Sequence, residues 1–187
     1  MKRLFDILAS GCGLLVLSPI FIIVAIWIKL DSPGPVFYRQ IRVGRHNKDF
    51  RIFKFRSMRV GSDKGSLVTI GGRDPRVTRS GYFIRKFKID ELPQLINVFT
   101  GDMSLVGPRP EREFFYNQYD SQIPGFRNRL SVKPGLTGLA QIRGGYDLPP
   151  EEKLEHDMEY IRTQSIPLDL LCILYTIRLI LTGEGAR

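Results

Sequence analysis

The sequence predicts a mostly helical α+β fold, in which a membrane helix precedes a β-hairpin and several further helices. Residues 7–28 contain no charged side chain, and most of them are aliphatic. Residues 36–56 combine β-forming residues with a turn-rich centre, and later segments repeat apolar residues at helical spacing. We therefore expect residues 1–32 to form the membrane helix and residues 33–187 to form one further domain.

The charge of the chain restricts its partners. The 187 residues include 28 Lys and Arg against 19 Asp and Glu, giving a formal net charge of +9. A small protein this basic usually binds nucleic acid, an anionic lipid surface or a phosphorylated substrate, and charge alone does not choose among them. Cys12, Cys172, His46 and His156 are isolated in the sequence, which predicts neither a zinc site nor a disulfide framework.

The first segment has the length of a transmembrane helix but unusual flanks. About 20 apolar residues are enough to cross a bilayer. Lys2 and Arg3 precede the segment and Lys29 follows it, so the positive-inside tendency draws both ends to the cytoplasm. Proline in the middle removes a backbone hydrogen bond. We predict a re-entrant helix broken at Ser18-Pro19, with an ordinary kinked transmembrane helix as the alternative.

A β-hairpin is predicted next, with strands near residues 36–43 and 50–56 and turn residues at 44–48. The alternation slips at Ile52-Phe53, which predicts a bulge. Basic residues give the hairpin a cationic character: Arg39, Arg42, Arg45, Lys48, Arg51, Lys54, Arg56 and Arg59. Basic residues interleaved with aromatic ones are also typical of nucleic-acid surfaces, so a membrane-anchored binder without catalysis is an alternative function.

Three segments are predicted after the hairpin. They are a polar loop at residues 61–72, a short helix at residues 80–87, and a second helix that starts at Asp90 and ends at Thr100. Gly101 is the expected stop of that helix, and Gly107-Pro108-Arg109-Pro110 is expected to be a rigid loop.

Two helices are predicted at the C-terminal end. The first starts at Pro149-Pro150, with Glu151 and Glu152 in its first turn. The second covers residues 168–181, is apolar, and is too short to span a bilayer. It suits a buried helix or one that lies in the membrane interface.

Asp90 is the leading candidate for a reactive residue. At the predicted start of its helix, Asp90 suits the N-cap and Glu91 the first turn, which alone is ordinary capping. However, Arg85, Lys86 and Lys88 bring cations to the same place. Helix N-termini bind phosphate, and a carboxylate held there can attack phosphorus.

The neighbours of Asp90 suit a diphosphate substrate. Glu91 can hold a divalent metal that neutralises the diphosphate, and Mg²⁺ binds through few carboxylates and substrate oxygens. Pro108-Arg109-Pro110 presents a guanidinium on a rigid loop, and arginine binds phosphate bidentately. A structural ion pair is the alternative role for Arg109.

At these residues the sequence resembles the bacterial sugar transferase family, the monotopic phosphoglycosyl transferases. The resemblance covers nearly the whole chain, and several ordered motifs carry it. They are Lys2-Arg3 with Asp6, Ser18-Pro19, Lys54-Phe55-Arg56, Asp90-Glu91-Leu92-Pro93-Gln94-Leu95, Gly101-Asp102-Met103-Ser104, Gly107-Pro108-Arg109-Pro110 and Lys133-Pro134-Gly135-Leu136-Thr137-Gly138. With no multi-span domain ahead of these motifs, the chain resembles the small form of the family or the catalytic portion of a larger one.

The resemblance implies a ping-pong reaction at the cytoplasmic face of the bacterial inner membrane, with interfacial helices around the catalytic domain. Asp90 would attack the β-phosphate of a UDP-sugar and release UMP, and undecaprenyl phosphate would then accept the sugar phosphate. The same resemblance implies Mg²⁺ at Glu91 and no nucleic-acid partner. Inner-membrane lipids are expected as further partners, and the apolar surface helices would allow a homodimer.

The resemblance further implies substrate-binding residues. Arg85 matches a phosphate-contacting arginine, and Pro108, Arg109 and Pro110 match a motif at the nucleotide end of the substrate. Lys54 and Arg56 are implied by the Lys54-Phe55-Arg56 motif, and Arg143 by the looser match at Ile142-Arg143-Gly144-Gly145. A hydrolase that passes the phosphoryl group to water is another alternative, and the sequence identifies neither the sugar nor the glycan pathway.

Overall fold

The computed structural model describes residues 1–62, 74–144 and 148–182, and it confirms the mostly helical α+β class. The helices are α1 Lys2–Asp31, α2 Arg79–Lys86, α3 Gln94–Thr100, α4 Glu113–Asp120, α5 Leu139–Gly144, α6 Pro150–Thr163 and α7 Ile166–Thr182. The strands are β1 Phe37–Val43, β2 Asp49–Phe55, β3 Ser104–Val106 and β4 Gly135–Thr137. Most of the predicted polar loop, residues 63–72, lies outside the described residues.

The predicted hairpin is confirmed, but the bulge is wrong. β1 and β2 pair antiparallel in one uninterrupted register that runs from Phe37 opposite Phe55 to Val43 opposite Asp49. The alternation slips because both faces of β2 are covered. Ile52 is buried in the core, and on the other face the Arg39 guanidinium lies 4.6 Å from the Phe53 ring centroid.

The predicted interruption of α1 is also wrong, because the helix runs through Pro19 as one element of 30 residues. Proline has no N–H to donate to the carbonyl of Leu15, four residues earlier. The hydroxyl of Ser18 donates to that carbonyl instead, at 2.8 Å. The Ser18-Pro19 pair therefore satisfies the backbone locally, and helical structure continues on both sides.

Polar side chains attach the N-terminal end of α1 to the rest of the chain. Lys2 Nζ lies 2.5 Å from Asp169 Oδ2 in α7. Arg3 donates to the carbonyls of Val98 and Phe99 at the end of α3, at 2.6 and 2.7 Å. The buried Asp6 accepts hydrogen bonds from residues of β3, the hydroxyl of Ser104 and the backbone N–H of Leu105. The first two turns of the helix are therefore fixed to three elements.

The C-terminal end of α1 is attached in the same way. Asp31 Oδ2 accepts hydrogen bonds from the backbone N–H and the hydroxyl of Ser80, at 3.0 and 2.8 Å. The buried Arg56 donates to the carbonyls of Ile28, Ser32 and Pro33, which include the end of the helix.

Between its ends α1 has one packed face and one exposed face. Phe5, Ala9, Leu14 and Leu17 pack against the main core, and Val24 and Ile28 are buried in a second cluster with Phe55. The exposed face is apolar: Leu4, Leu8, Leu15, Val16, Ile20, Ile22, Ile23, Ile26, Trp27 and Leu30. Within the described ranges α1 is the one helix long and apolar enough to cross a membrane. An apolar surface of this extent indicates membrane association.

The remaining predicted helices are confirmed with shifted ends. α2 covers the predicted short helix, and Gly101, with a φ of 102°, ends α3 in the left-handed region that favours glycine. α6 begins at Pro150 with Glu151 and Glu152 in its first turn. The last helix, α7, begins two residues earlier than predicted.

The sequence interpretation missed the short parallel pair of β3 and β4, in which Ser104 lies opposite Gly135 and Val106 opposite Thr137. The core forms around this pair, with Met103, Leu105, Val106 and Tyr160 among its buried residues. The pair also sets the position of the loop that follows β3, which carries Pro108-Arg109-Pro110.

Candidate active site

Asp90 and Glu91 lie in a tight turn before α3, so the prediction that Asp90 caps the helix is wrong. They belong to a 3₁₀ turn, Ile89–Glu91, and α3 begins only at Gln94. Lys88 precedes the turn with a φ of 54°, a conformation that costs energy for a residue with a side chain. This strained position directs the chain from α2 into the turn.

Glu91 is buried and is bound by two cations. Its Oε1 accepts hydrogen bonds from Lys54 Nζ at 2.6 Å and from Arg109 Nη2 at 2.5 Å. Its Oε2 accepts a hydrogen bond from Arg109 Nη1 at 3.2 Å. The structure therefore brings together predicted residues from β2, the turn and the loop after β3. Bidentate arginine–carboxylate pairs of this kind are among the strongest and most directional in proteins.

The two adjacent acids have opposite electrostatic environments. Burial raises the pKa of Asp90 to about 6, and the negative charge of Glu91 adds to this rise against Lys54, Arg85 and Arg109. Burial would also raise the pKa of Glu91, but Arg109 and Lys54 outweigh it and hold that pKa well below its usual range. Glu91 is therefore a fixed anion, whereas Asp90 is the more basic carboxylate of the pair.

The loop that carries Arg109 is held through its backbone carbonyls. The carbonyl of Pro108 accepts a hydrogen bond from the Gly135 N–H at 2.9 Å, and that of Pro110 accepts one from Arg42 at 3.0 Å. The Arg109 carbonyl accepts one from Arg129 at 3.1 Å. Three successive carbonyls are thus fixed, so the Arg109 side chain starts from a rigid backbone.

Arg129 itself is fixed by a buried ion pair. Arg129 and Asp157 are each 1% exposed, and Nη2 lies 2.5 Å from Asp157 Oδ2. Charges this deeply buried are tolerated when they are paired. The pair connects α6 to the backbone of the Arg109 loop.

A pocket opens beside Glu91 and has two kinds of wall. Its charged side chains are Lys88, Glu91 and Arg109, and its uncharged polar ones are Thr137, Gln141 and Thr176. The remaining lining residues are apolar: Leu92, Leu136, Leu179 and Ile180. Burial lowers the pKa of Lys88, which is evidence that this cation is drawn partly out of water. A pocket with these walls suits a molecule with an anionic group and an apolar part.

The other predicted site residues lie at different distances from this cluster. Arg85, on the last turn of α2, is close enough for its charge to lower the pKa of Asp90. Arg56 instead binds the end of α1, as described above. Arg143 forms a bidentate ion pair with Glu159 on an exposed surface and also contacts His156. The structure therefore does not bring Arg56 or Arg143 to Glu91.

Lys88 and Gln141 line the pocket but were missed as candidate site residues. The sequence indicates that Lys88 is a cation near Asp90. It does not indicate the left-handed backbone of Lys88 or its place in the pocket lining. Gln141 carries no charge, and its approach to the pocket depends on the β3–β4 pairing, which was not predicted. A motif match is the one signal that could have found it, since Gln141 follows closely after Gly138.

The acids at this site fit a divalent cation only together with a substrate. Among the described residues no group of three or more His, Cys, Asp and Glu side chains could hold a metal ion. Glu91 Oε1 already accepts two hydrogen bonds, whereas Oε2 accepts one and keeps a lone pair. Mg²⁺ commonly takes one or two carboxylates and completes its octahedron with phosphate oxygens and water. This donor set fits Mg²⁺ with a bound diphosphate.

Comparison with known proteins assigns the family. A model of the bacterial sugar transferase family matches residues 1–183. The chain belongs to this family.

Its relatives include two named transferases and an exopolysaccharide protein. UDP-N-acetylgalactosamine-undecaprenyl-phosphate N-acetylgalactosaminephosphotransferase of Aeromonas hydrophila is 49% identical over 190 residues, covering 100% of this chain and 45% of that protein. UDP-glucose:undecaprenyl-phosphate glucose-1-phosphate transferase of Escherichia coli (strain K12) is 43% identical, covering 95% of this chain and 39% of that protein. Exopolysaccharide production protein PSS of Rhizobium leguminosarum bv. phaseoli is 41% identical, with coverage of 99% and 98%. The chain thus spans less than half the length of the first two relatives.

Proposed function

We propose that this chain transfers a sugar 1-phosphate from a UDP-sugar to undecaprenyl phosphate and releases UMP. The observation that carries the proposal is Glu91, which is bound by Lys54 and Arg109 and lines a partly apolar pocket. Asp90 precedes it in the chain and feels the charges of the same two cations. The cations suit a diphosphate, and the apolar wall suits the hydrocarbon of a lipid carrier. The names of the relatives from A. hydrophila and E. coli describe this reaction type.

In the first step Asp90 attacks the β-phosphorus of the UDP-sugar. A bond forms between the carboxylate oxygen and phosphorus, and the bond to the bridging oxygen breaks, so UMP leaves with that electron pair. Arg109 and Lys88 stabilise the charge that develops on the phosphate oxygens. The higher pKa of Asp90 makes it a better nucleophile than Glu91, whose charge is already committed to two cations.

In the second step a phosphate oxygen of undecaprenyl phosphate attacks the same phosphorus. The bond to Asp90 breaks, the carboxylate is regenerated, and the product is a polyprenol diphosphate sugar. Because UMP departs before the carrier reacts, one set of cations serves both phosphates in turn. Glu91 keeps Lys54 and Arg109 in place throughout.

Mg²⁺ forms part of the proposal, in which Glu91 would hold it together with the diphosphate of the substrate. Bound there, it would neutralise the charge of the diphosphate. Turnover should stop when the metal is removed by EDTA and return when Mg²⁺ is restored. Undiminished activity in EDTA would remove the metal from the mechanism.

The nucleophile is tested by Asp90→Asn. This variant should abolish UMP release from UDP-sugar while it remains in the membrane fraction, because α1 is unchanged. Electrophoresis of wild-type protein quenched with labelled UDP-sugar should show a covalent sugar phosphate that Asp90→Asn lacks. Full activity of the variant would refute the assignment, and product formation without undecaprenyl phosphate would favour a hydrolase.

We also propose that α1 enters and leaves the membrane on one face by bending at Ser18-Pro19 without loss of helical structure, and that the active site faces the cytoplasm at the inner membrane. Thirty residues of helix are about 45 Å long, and a bilayer-crossing helix separates its ends by the ~30 Å hydrocarbon core. Lys2 and Asp31, at opposite ends, nevertheless bind the same body. Such attachment favours both ends on one face, with the exposed apolar sides of α1 and α7 toward lipid.

The topology is tested with cysteines at positions 2 and 32 in a background that lacks Cys12. An impermeant maleimide should label neither site in intact cells and both after the membrane is opened. Labelling of one site alone in intact cells would establish a transmembrane helix. A homodimer through these apolar faces stays a prediction, which cross-linking in native membranes would test.

A further inference from the structure

The uncharged polar residues that line the pocket differ in their hydrogen bonding. The hydroxyls of Thr137 and Thr176 bond each other at 2.5 Å, and Thr176 also donates to the carbonyl of Cys172 at 2.8 Å. Both atoms of the Gln141 amide, Nε2 and Oε1, are shielded from water and have no hydrogen-bond partner among the described residues. The threonines therefore stabilise the wall of the pocket, whereas Gln141 leaves a donor and an acceptor unused.

An amide without partners is costly in the folded protein. Leaving a buried polar group unpaired destabilises the folded state, because the group gives up its bonds to water and gains none in return. Gln141 lies in the first turns of the short helix α5, directly after β4, and its Oε1 packs over Gly138, where a Cβ would lie only 2.6 Å away. The terminal torsion of glutamine is soft, so the amide can turn toward the pocket without movement of the backbone. The position suits a group that is completed by a ligand.

The chemistry of an amide indicates which part of the substrates it binds. The phosphates are served by Lys88 and Arg109, and a phosphate offers acceptors only, which would leave Oε1 facing negative oxygens. The hydrocarbon of the carrier offers neither donor nor acceptor. The imide edge of uracil and the hydroxyls of a sugar each offer both.

We propose that Gln141 is a binding residue for the nucleotide sugar, through an uncharged group that both donates and accepts a hydrogen bond. That group is the uracil edge or a hydroxyl of the sugar. This inference rests on the proposed function, since it assumes that a UDP-sugar occupies the pocket. It adds a recognition role to the phosphate contacts of Arg109 and Lys88.

The test measures binding to the full chain in detergent by calorimetry, with Asp90→Asn present throughout so that the donor does not react. UDP-N-acetylgalactosamine and UDP-glucose are the probes. Gln141→Met should raise the dissociation constant about tenfold, which corresponds to one or two lost hydrogen bonds. Gln118→Met, on the exposed surface of α4, is the matched control and should bind as its parent does.

Thermal unfolding separates binding from a structural role. Because the Gln141 amide bonds to none of the described residues, Gln141→Met and Gln141→Leu should keep or raise the melting temperature. A structural glutamine would instead lower it. UMP binding then identifies the group: a parallel tenfold loss assigns the uracil, and unchanged UMP affinity assigns the sugar.

Two outcomes would overturn the inference and are distinguishable. Equal dissociation constants for the parent and Gln141→Met refute the role of Gln141 alone. Failure of the parent to bind UMP and both UDP-sugars refutes the proposed function and the inference with it.

Discussion

Glu91 and Asp169 are both buried carboxylates that bind a lysine, yet their surroundings differ. Asp169 accepts hydrogen bonds from Lys2 at 2.5 Å and from the Tyr160 hydroxyl at 2.6 Å, and the residue is fully enclosed. Glu91 lines a pocket together with Arg109, one of the cations that bind it. Both carboxylates are therefore buried and paired with cations. Glu91 differs from Asp169 because it also lines a pocket that a substrate could enter.

The largest expected effect comes from Glu91→Gln. The amide would offer Lys54 and Arg109 one oxygen in place of two and would present an N–H to a cation. We expect UMP release to fall about 1,000-fold, as when a preorganised group is removed from an active site. The rate is measured on protein whose helix content by circular dichroism matches the wild type. A wild-type rate would place Glu91 with Asp169 among structural residues.

Asp169→Asn should show the opposite pattern. Loss of the charge leaves Lys2 without its anion, so the free energy of unfolding should fall by about 3 kcal/mol. The rate per folded molecule should be unchanged, since the site lies elsewhere. Denaturant titration in detergent gives the stability, with Asp102→Asn on the exposed surface as the control. An unchanged midpoint would contradict the role of this ion pair in holding α1.

Arg109→Lys tests whether geometry matters beyond charge. Lysine keeps the positive charge but cannot bind both oxygens of Glu91 or a phosphate in bidentate fashion. We expect kcat/KM for the UDP-sugar to fall about 30-fold, the loss of one charge-assisted hydrogen bond. Arg127→Lys, which changes an arginine bound to Glu113 near the surface, is the control. Equal rates for the two variants would show that Arg109 acts through charge alone.

Arg143→Ala should have the smallest effect. Its partner Glu159 lies on an exposed surface, where ion pairs contribute little. The rate of UMP release should stay within about threefold of the wild type, the scale of an exposed pair. A loss as large as that of Arg109→Lys would show that Arg143 reaches the substrate.

The sequence predicted elements whose signals are local. The hairpin, the end of α3 at Gly101 and the start of α6 at Pro150 all depend on residues that favour one conformation, and the structure confirms them. The predicted break at Ser18-Pro19 was wrong because the hydroxyl of Ser18 donates the hydrogen bond that proline cannot. A hydropathy pattern does not reveal such a side-chain bond. The cap at Asp90 failed because Lys88 adopts a left-handed conformation that no propensity predicts.

The sequence predicted charged residues that belong to the site, but it did not predict how they bind one another. Glu91 and Arg109 were chosen as a metal ligand and a phosphate ligand, and the structure shows them bound to each other through two hydrogen bonds. The role of Arg56 could not be separated from that of Lys54 because they lie two residues apart. In extended backbone, side chains two residues apart are expected on the same face. Only the position of α1 shows that Arg56 binds carbonyls at the end of that helix.

The attachment of α1 at its first residues has a consequence for biosynthesis. Lys2 leaves the ribosome before its partner Asp169, which follows 167 positions later. At typical rates of translation the helix waits roughly 10–30 s for that partner. During this interval lipid or a chaperone must cover the apolar face of α1 to keep it out of water. The contact between Lys2 and Asp169 therefore forms only after the apolar face of α1 has met lipid or a chaperone.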